Sequence, residues 1–333
     1  MKLNRTSYEK LFKGFYILDC VVRRRDFCYF IIEQEQEYDD ESDTPPKNKA
    51  LTRVITYVTQ PEKVKAGKIW GGQDLTGMHY LKAGVSYQPK EQFVGVSLND
   101  HVYVLGSGDD ELENDLEGGR AATGKDIGMR GGISKSRTIE GWLWIAGSGR
   151  TVGRRLGRNQ WEWHDVIPYK SLMDDGGFLD IDGFSLTDIY AVGGHGDVWH
   201  YNGAKWKQLP FPSNMTLEAV CCAGDGQVYI GAESGTVFKG RDNKWKLISR
   251  GSMSIPFKDM VWYQDKVWCT SDYGLWTIEN DKLKDADVPD KVRVRAGNLS
   301  VGDGVMLLAG AYGAALHDGR EWKTIIDYSD LAE

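Results

Sequence analysis

Four glycines, Gly196, Gly235, Gly274 and Gly313, recur 39 residues apart without slippage, and each follows by six positions a large apolar residue: Tyr190, Tyr229, Trp268 and Leu307. A repeat of about 40 residues with strand-like patterning describes a unit that cannot bury its apolar face alone, so the units must stack into a propeller or a solenoid. The clearest unit runs through an apolar strand at 188–193, turns at Gly194, His195 and Gly196, and returns over 197–201. Two strands around a glycine turn make a hairpin. Asn202 and Gly203 then form a second turn before a third strand around Trp206. The units that follow repeat this order, and before each hairpin lies another apolar segment, at 178–184, 217–222, 257–263 and 299–301. Four strands per unit is the blade of a propeller.

Working backwards, 142–145 with the glycine turn 147–149 and 161–163 marks an earlier blade, and 102–105 with the glycine turn 106–108 another, both turns being read as the one after the second strand. Strand-like runs at 15–22, 27–32, 54–59 and 68–70 supply a divergent first blade. The expectation is an all-β chain forming a single closed β-propeller over 1–333. Seven four-stranded blades are expected, at 15–75, 90–130, 131–166, 177–210, 215–249, 255–287 and 294–327, with six or eight as the alternative counts. Closing the ring removes the exposed sheet edges that an open array would have to protect. The motif G-x-[VL]-[WF]-x-x-[DN]-G-x-x-W, as in 196–206, resembles bacterial propeller repeats of the BNR-like and WD-repeat-like superfamily, and the resemblance extends over about 95–326. It implies a fold and no activity, because propellers host unrelated functions. The chain lacks both the S-x-D-x-G-x-T-W turn of sialidases and the histidine and Trp-Asp signatures of true WD repeats.

The chemical motifs are weak. Residues 119–125 fit G-x-x-x-x-G-K, but Asp126 stands where a phosphate-binding loop needs Ser or Thr to hold magnesium, so a glycine-rich insertion is the better reading. The stretch from Asp180 to Gly183 lacks the third acidic ligand and closing glutamate of a calcium loop. The six histidines form no H-E-x-x-H pattern, and the five cysteines form no C-x-x-C pair. No metal, no cofactor and no catalytic residue is therefore assigned, and the cysteines read as reduced thiols. With no signal peptide or membrane anchor evident in the sequence, a cytoplasmic location is expected.

Charge is unevenly distributed. Glu33, Glu35, Glu37, Asp39, Asp40, Glu41 and Asp43 form one acidic run, and Asp109, Asp110, Glu111, Glu113, Asp115 and Glu117 a second, neither containing Lys or Arg. On the strand assignment above both follow the second strand of their blades, which puts them on one face. They read either as solvated loops or as a field that orients a basic partner. Turns and blade connections on that face carry Tyr169, Met173, His195, Phe211, Met215, Glu233, Met253, Asp272, Tyr273 and Tyr312. Aromatic and methionine side chains on loops suit an interface core. Arg150, Arg154, Arg155 and Arg158 make a basic segment, read as a solvated strand rather than an anion site. Without interleaved aromatics, and at a net charge of −7, nucleic acid is not an expected partner, and neither is a membrane.

The chain thus reads as a non-enzymatic, monomeric propeller that binds another protein with a basic surface through Glu37, Asp39, Asp40, Glu41, Asp109, Asp110, Glu111, Glu113 and the apolar loop residues. By fold and charge analogy it is a bacterial immunity protein neutralising a cognate toxin. The alternative is a carbohydrate-active or lyase-type enzyme with convergent carboxylates at the channel mouth.

Overall fold

Short apolar runs separated by glycine and Asn/Asp turns fold into seven antiparallel sheets of four strands, each built from consecutive strands in meander order. The structure is a computed structural model that describes residues 1–36, 51–120, 126–164, 167–168, 176–251 and 255–331. The first strands of the sheets are Phe15–Arg24, Lys82–Ser86, Ile133–Ile139, Phe178–Ser185, Leu217–Cys222, Asp259–Tyr263 and Asn298–Gly302. These seven pack against one another in a ring, the last against the first, so they line the channel of a seven-bladed β-propeller. Tyr190, Tyr229, Trp268 and Leu307 all lie buried in the second strands of blades 4 to 7. Gly196 follows the second strand of blade 4 at φ +71°, and a Cβ there would run into the backbone carbonyl of Ser213 in the connection to blade 5. In blade 4 the turn is thus clamped by the chain entering the next blade, and only glycine fits there.

Blade 2 corrects the strand assignment. Its strands are Lys82–Ser86, Gln92–Val96, Val102–Gly106 and Asp109–Leu112, so the glycine turn at 106–108 follows the third strand, not the second. The inner strand Lys-Ala-Gly-Val-Ser has no large side chain to announce it. Residues Gly118–Arg120 pair with Asp126–Gly128 as a separate two-stranded sheet, so the described residue after Lys125 opens a strand where a phosphate loop would lead into a helix.

Apolar side chains fill the spaces between blades rather than one central core; Val94, Val96, Val102 and Val104 of blade 2, for example, meet Leu143 and Ile145 of blade 3. The ring closes without exchanging a strand between the first and last blades. Instead the N-terminal segment clasps the joint: Leu3 N donates to Ile325 O at 2.7 Å, and a short helix, Arg5–Leu11, is capped by the Asn4 side chain accepting from Ser7 N at 2.8 Å. Phe12, fully buried, packs edge-on against Trp70 of blade 1 at 5.5 Å and Tyr328 beyond blade 7 at 6.1 Å.

Inside the channel, neighbouring inner strands do not pair as a sheet, and side chains satisfy their backbone instead. Asp19 accepts from Ala83 N at 2.8 Å, Asp180 from Val220 N at 2.9 Å, Asp182 from Cys222 N at 2.8 Å and Asp259 from Leu299 N at 3.1 Å, each across a blade joint. Ser300 Oγ accepts from Val22 N at 2.9 Å across the closing joint. The carboxylates are balanced by Arg137, which reaches Asp180 at 3.2 Å and Asp259 at 3.3 Å, and by Lys135 at 2.9 Å from Asp259. Burial alone would push the Asp259 carboxyl up, but Lys135 and Arg137 hold it below its ordinary value. Asp182 lacks such a close partner, and burial raises it to about 6.

Two outcomes are expected. Phe12→Ala should cost about 3–5 kcal/mol in urea unfolding, because it empties the space between first and last blades. Asp182 binds its proton more tightly folded than unfolded, so its charge works against folding above pH 6 and that penalty fades as the pH falls towards 4. Asp182 also accepts from Gly183 N at 2.9 Å, and an amide can serve only one of its two backbone donors, so Asp182→Asn carries a pH-independent cost. On top of it the variant should gain on the wild type by on the order of 2 kcal/mol between pH 4 and pH 7.5, and a stability difference that does not change with pH would contradict this.

Candidate functional site

In each blade the turn between the second and third strands and the connection to the next blade emerge on the same side, because antiparallel strands reverse direction at every step. This face gathers exposed apolar side chains: Tyr80 before the inner strand of blade 2, Leu98 after its second strand, Tyr273 and Tyr312 on the corresponding turns of blades 6 and 7, and Val294 between those blades. Tyr273 and Val294 are 81% and 78% exposed. Large apolar groups held this open on one face have the chemistry that interaction surfaces use.

Two cavities open here. One, about 540 Å³, is lined by Tyr80, Lys82, Leu98, Glu218, Phe257 and their neighbours at the channel mouth. The other, about 700 Å³, lies towards blades 6, 7 and 1 and includes Tyr273, Val294, Arg295 and Tyr312. Lys258 and Asp272 line both, joined by an ion pair of 2.7 Å, so the two form one crescent. Tyr80 is held in a left-handed conformation, φ 50°, by the buried Glu33 carboxylate, which accepts from Tyr80 N at 3.3 Å. Beneath Tyr312, the buried Arg295 is paired with Asp327.

Asp272, Tyr273 and Tyr312 are the sequence-assigned residues that the structure brings together. Glu37, Asp39, Asp40, Glu41, Tyr169, Met173 and Met253 lie outside the described residues. Glu35 faces Tyr312, whose hydroxyl pKa is raised by burial and by that carboxylate, so the first acidic run leaves the described chain beside the crescent. His195 and Glu233 occupy the turns of blades 4 and 5, and Glu233 accepts from Thr216 N at 3.0 Å. Phe211 is half-buried against Phe238 at 4.8 Å and Trp245 at 5.2 Å, and Met215 lines a separate 530 Å³ cleft, so both cover the ends of blades 4 and 5. Tyr80, Leu98, Lys82, Lys258 and Val294 went unassigned in sequence. The first three escaped because blade 2 was read one strand out of step.

The same shift overturns the placement of the second acidic run. Asp109, Asp110 and Glu111 belong to the outer strand of blade 2, with Asp109 at its start on the opposite face, paired to Lys90 at 2.6 Å. Asp110 accepts from Tyr103 OH at 2.6 Å, and Asp115 contacts His101 Nδ1 at 2.6 Å. The basic segment supplies the other partners. Arg158 pairs with Glu111 at 2.6 Å, and Arg155 with Glu113, both 1% exposed. Arg154 pairs with Glu162 at 2.8 Å, and Arg150 grips Asp197 through two bonds of 2.7 and 2.9 Å. Two runs that look opposed in sequence thus meet in two ion pairs, Arg158–Glu111 and Arg155–Glu113, across the joint of blades 2 and 3, and Arg155 is a buried ion-pair residue rather than a solvated one. Arg155→Met should cost about 3–5 kcal/mol in chemical denaturation by stranding Glu113, and a Glu113→Gln change added to it should recover much of the loss.

The channel carboxylates Asp19, Asp180, Asp182 and Asp259 do converge, as the enzyme alternative requires, but each is committed to backbone amides across a blade joint. Among the described residues no three His, Cys, Asp or Glu side chains are grouped to hold a metal ion. No described helix is long and apolar enough to cross a membrane.

No protein-family model matches the sequence. Solved structures similar in fold include the WD40 repeats of RRP9 (TM-score 0.60, 12% identity, 89% of this chain and 88% of that one) and the WD40 propeller domain of Doa1 (0.58, 9%, 89% and 90%). A catalytically inactive virginiamycin B lyase from Staphylococcus aureus, solved with quinupristin, is also similar (0.57, 8%, 76% and 86%). At these identities the likeness is one of fold alone. The immune protein Tsi7 of Pseudomonas aeruginosa is 31% identical over 254 residues, covering 76% of this chain and 81% of that protein. Sustained identity over most of both chains establishes kinship as well as fold, and the chain belongs to the family of the immune protein Tsi7.

Proposed function

We propose that this protein is an immunity protein that neutralises a toxin by docking it on the face that carries Tyr80, Leu98, Tyr273, Val294 and Tyr312. The observation that carries the reading is the concentration of these exposed side chains on one face, around two adjoining cavities. Rigid aromatic groups beside concave surface are where interface energy concentrates. The kinship with an immune protein supplies the biological class.

A basic toxin surface fits the first acidic run, which departs next to Tyr312, whereas Asp109, Glu111, Glu113 and Asp115 of the second run are paired within the chain. Steering therefore falls to Glu37, Asp39, Asp40 and Glu41. Asp109, Asp110 and Glu111 serve the fold instead. Five cysteines without disulfides are consistent with action in the reducing cytoplasm, by a chain that is monomeric until its toxin arrives. The enzyme reading draws support only from a shared fold with a lyase.

The test is the toxin that the chain retains stoichiometrically from its native host and whose activity it blocks. Tyr273→Ala and Tyr312→Ala should each weaken binding about tenfold or more with little change in melting temperature. Neutralising Glu37, Asp39, Asp40 and Glu41 should slow association and flatten its salt dependence. Neutralising Asp109, Asp110 and Glu111 should instead leave the on-rate alone and lower stability. Recovery of no such partner, or unchanged affinity in both tyrosine variants, would remove the docking assignment.

A further inference from the structure

The mouth of the channel on the proposed docking face carries two charged side chains, Lys82 and Glu218, that the fold does not close into an ion pair, although the Asp19 carboxylate behind the rim acts on Lys82. Lys82 opens the inner strand of blade 2, and Glu218 is the second residue of the inner strand of blade 5. Both therefore stand at the rim where the inner strands begin, and both line the same 540 Å³ cavity. Blades 2 and 5 are three apart in a ring of seven, which sets the two side chains on opposite walls.

Their neighbours are all engaged. Lys258 pairs with Asp272 at 2.7 Å, Lys135 with Asp259 at 2.9 Å, and Arg137 with both Asp180 and Asp259. The side chains of Lys82 and Glu218 make no direct hydrogen bond or ion pair among the described residues. Each is partly withdrawn from water: burial lowers the pKa of the Lys82 ammonium and raises that of the Glu218 carboxyl. A half-buried charge with no direct partner costs the free protein stability, and for Lys82 the more distant Asp19 carboxylate offsets burial only in part, its pKa still being lowered. Such a cost is characteristic of groups whose partners arrive with a ligand, where function opposes stability. Around the two charges, Tyr80, Leu98 and Phe257 form an apolar collar. Covering that collar would exclude water and strengthen any pair formed inside it.

We infer that the toxin inserts one loop tip into this mouth, carrying an acidic side chain that meets Lys82 and a basic side chain that meets Glu218. This rests on the docking function proposed above and adds the chemistry of the inserted segment. A polyanion such as nucleic acid is disfavoured, since Glu218 faces it and the Asp19 and Asp259 carboxylates lie behind the rim. A purely basic segment would leave Lys82 stranded, so the insert carries both signs.

The experiment compares Lys82→Met, Glu218→Gln and Tyr273→Ala, using as probe the toxin retained from the native host. The two charge variants should each lose at least tenfold in affinity. As free proteins they should melt at the wild-type temperature or about one to three degrees above it, because an unpaired charge has been removed. A clear fall in melting temperature of both free variants would show that the charges serve the fold, and would overturn the inference without any toxin in hand. Affinities within twofold of the wild type for both charge variants, alongside weakened binding by Tyr273→Ala, would also overturn it while leaving the docking face intact. Unchanged affinity in all three would remove the docking face and the insertion together.

Discussion

The inner ring is the constraint on which the rest of this propeller depends. Seven strands converge on one channel without pairing to each other, so their backbone amides and the charges they carry must be satisfied by side chains reaching across blade joints. Asp19, Asp180, Asp182 and Asp259 do this for the amides, and Arg137, from blade 3, ties blade 4 to blade 6 through Asp180 and Asp259. Low local dielectric makes such a network stiff when complete and costly when a member is missing. It therefore holds the blades in register and keeps the inner carboxylates from serving as free chemical groups.

What the ring satisfies below, the rim leaves open above. Exposed Tyr80, Leu98, Tyr273, Val294 and Tyr312 sit on turns and connections anchored by buried groups, Glu33 behind Tyr80 and the Arg295–Asp327 pair beside Tyr312. Anchored aromatic side chains lose little entropy on binding, which suits them to recognition. The N-terminal clasp matters to this surface as well: Phe12 and Tyr328 join blade 1 to blade 7, and Tyr312 packs on Tyr328 at 5.8 Å. Ring closure and the proposed docking face are thus joined through Tyr328.

Legibility in the sequence followed side-chain size. Blades 4 to 7 announce themselves through large residues at a fixed spacing, and their second strands lie where Tyr190, Tyr229, Trp268 and Leu307 place them. Blade 2 does not, because its inner strand is Lys-Ala-Gly-Val-Ser and packs through small groups against Leu143 and Ser136 of blade 3. Missing that strand displaced the acidic stretch 109–111 from the outer strand to a loop. It also hid Tyr80 and Lys82 in an apparent linker. Tyr273 and Tyr312 were readable because they follow the regular spacing. Charge runs were readable as composition but not as electrostatics, since the partners of Glu111 and Glu113 lie more than forty residues away at Arg158 and Arg155.

The sequence by itself determined that identical-length units must stack, because a four-stranded unit with two apolar faces has no stable existence alone. It also determined which turns share a face in the regular blades. Only the tertiary structure decided which charges remain available. Electrostatic partners are chosen by distance in space, and a ring brings blade 2 beside blade 3, blade 3 across to blade 6, and the first residues of the chain onto the last. For that reason an acidic stretch that reads as a binding surface became part of the frame, while a lysine in an unremarked strand was left facing the open mouth.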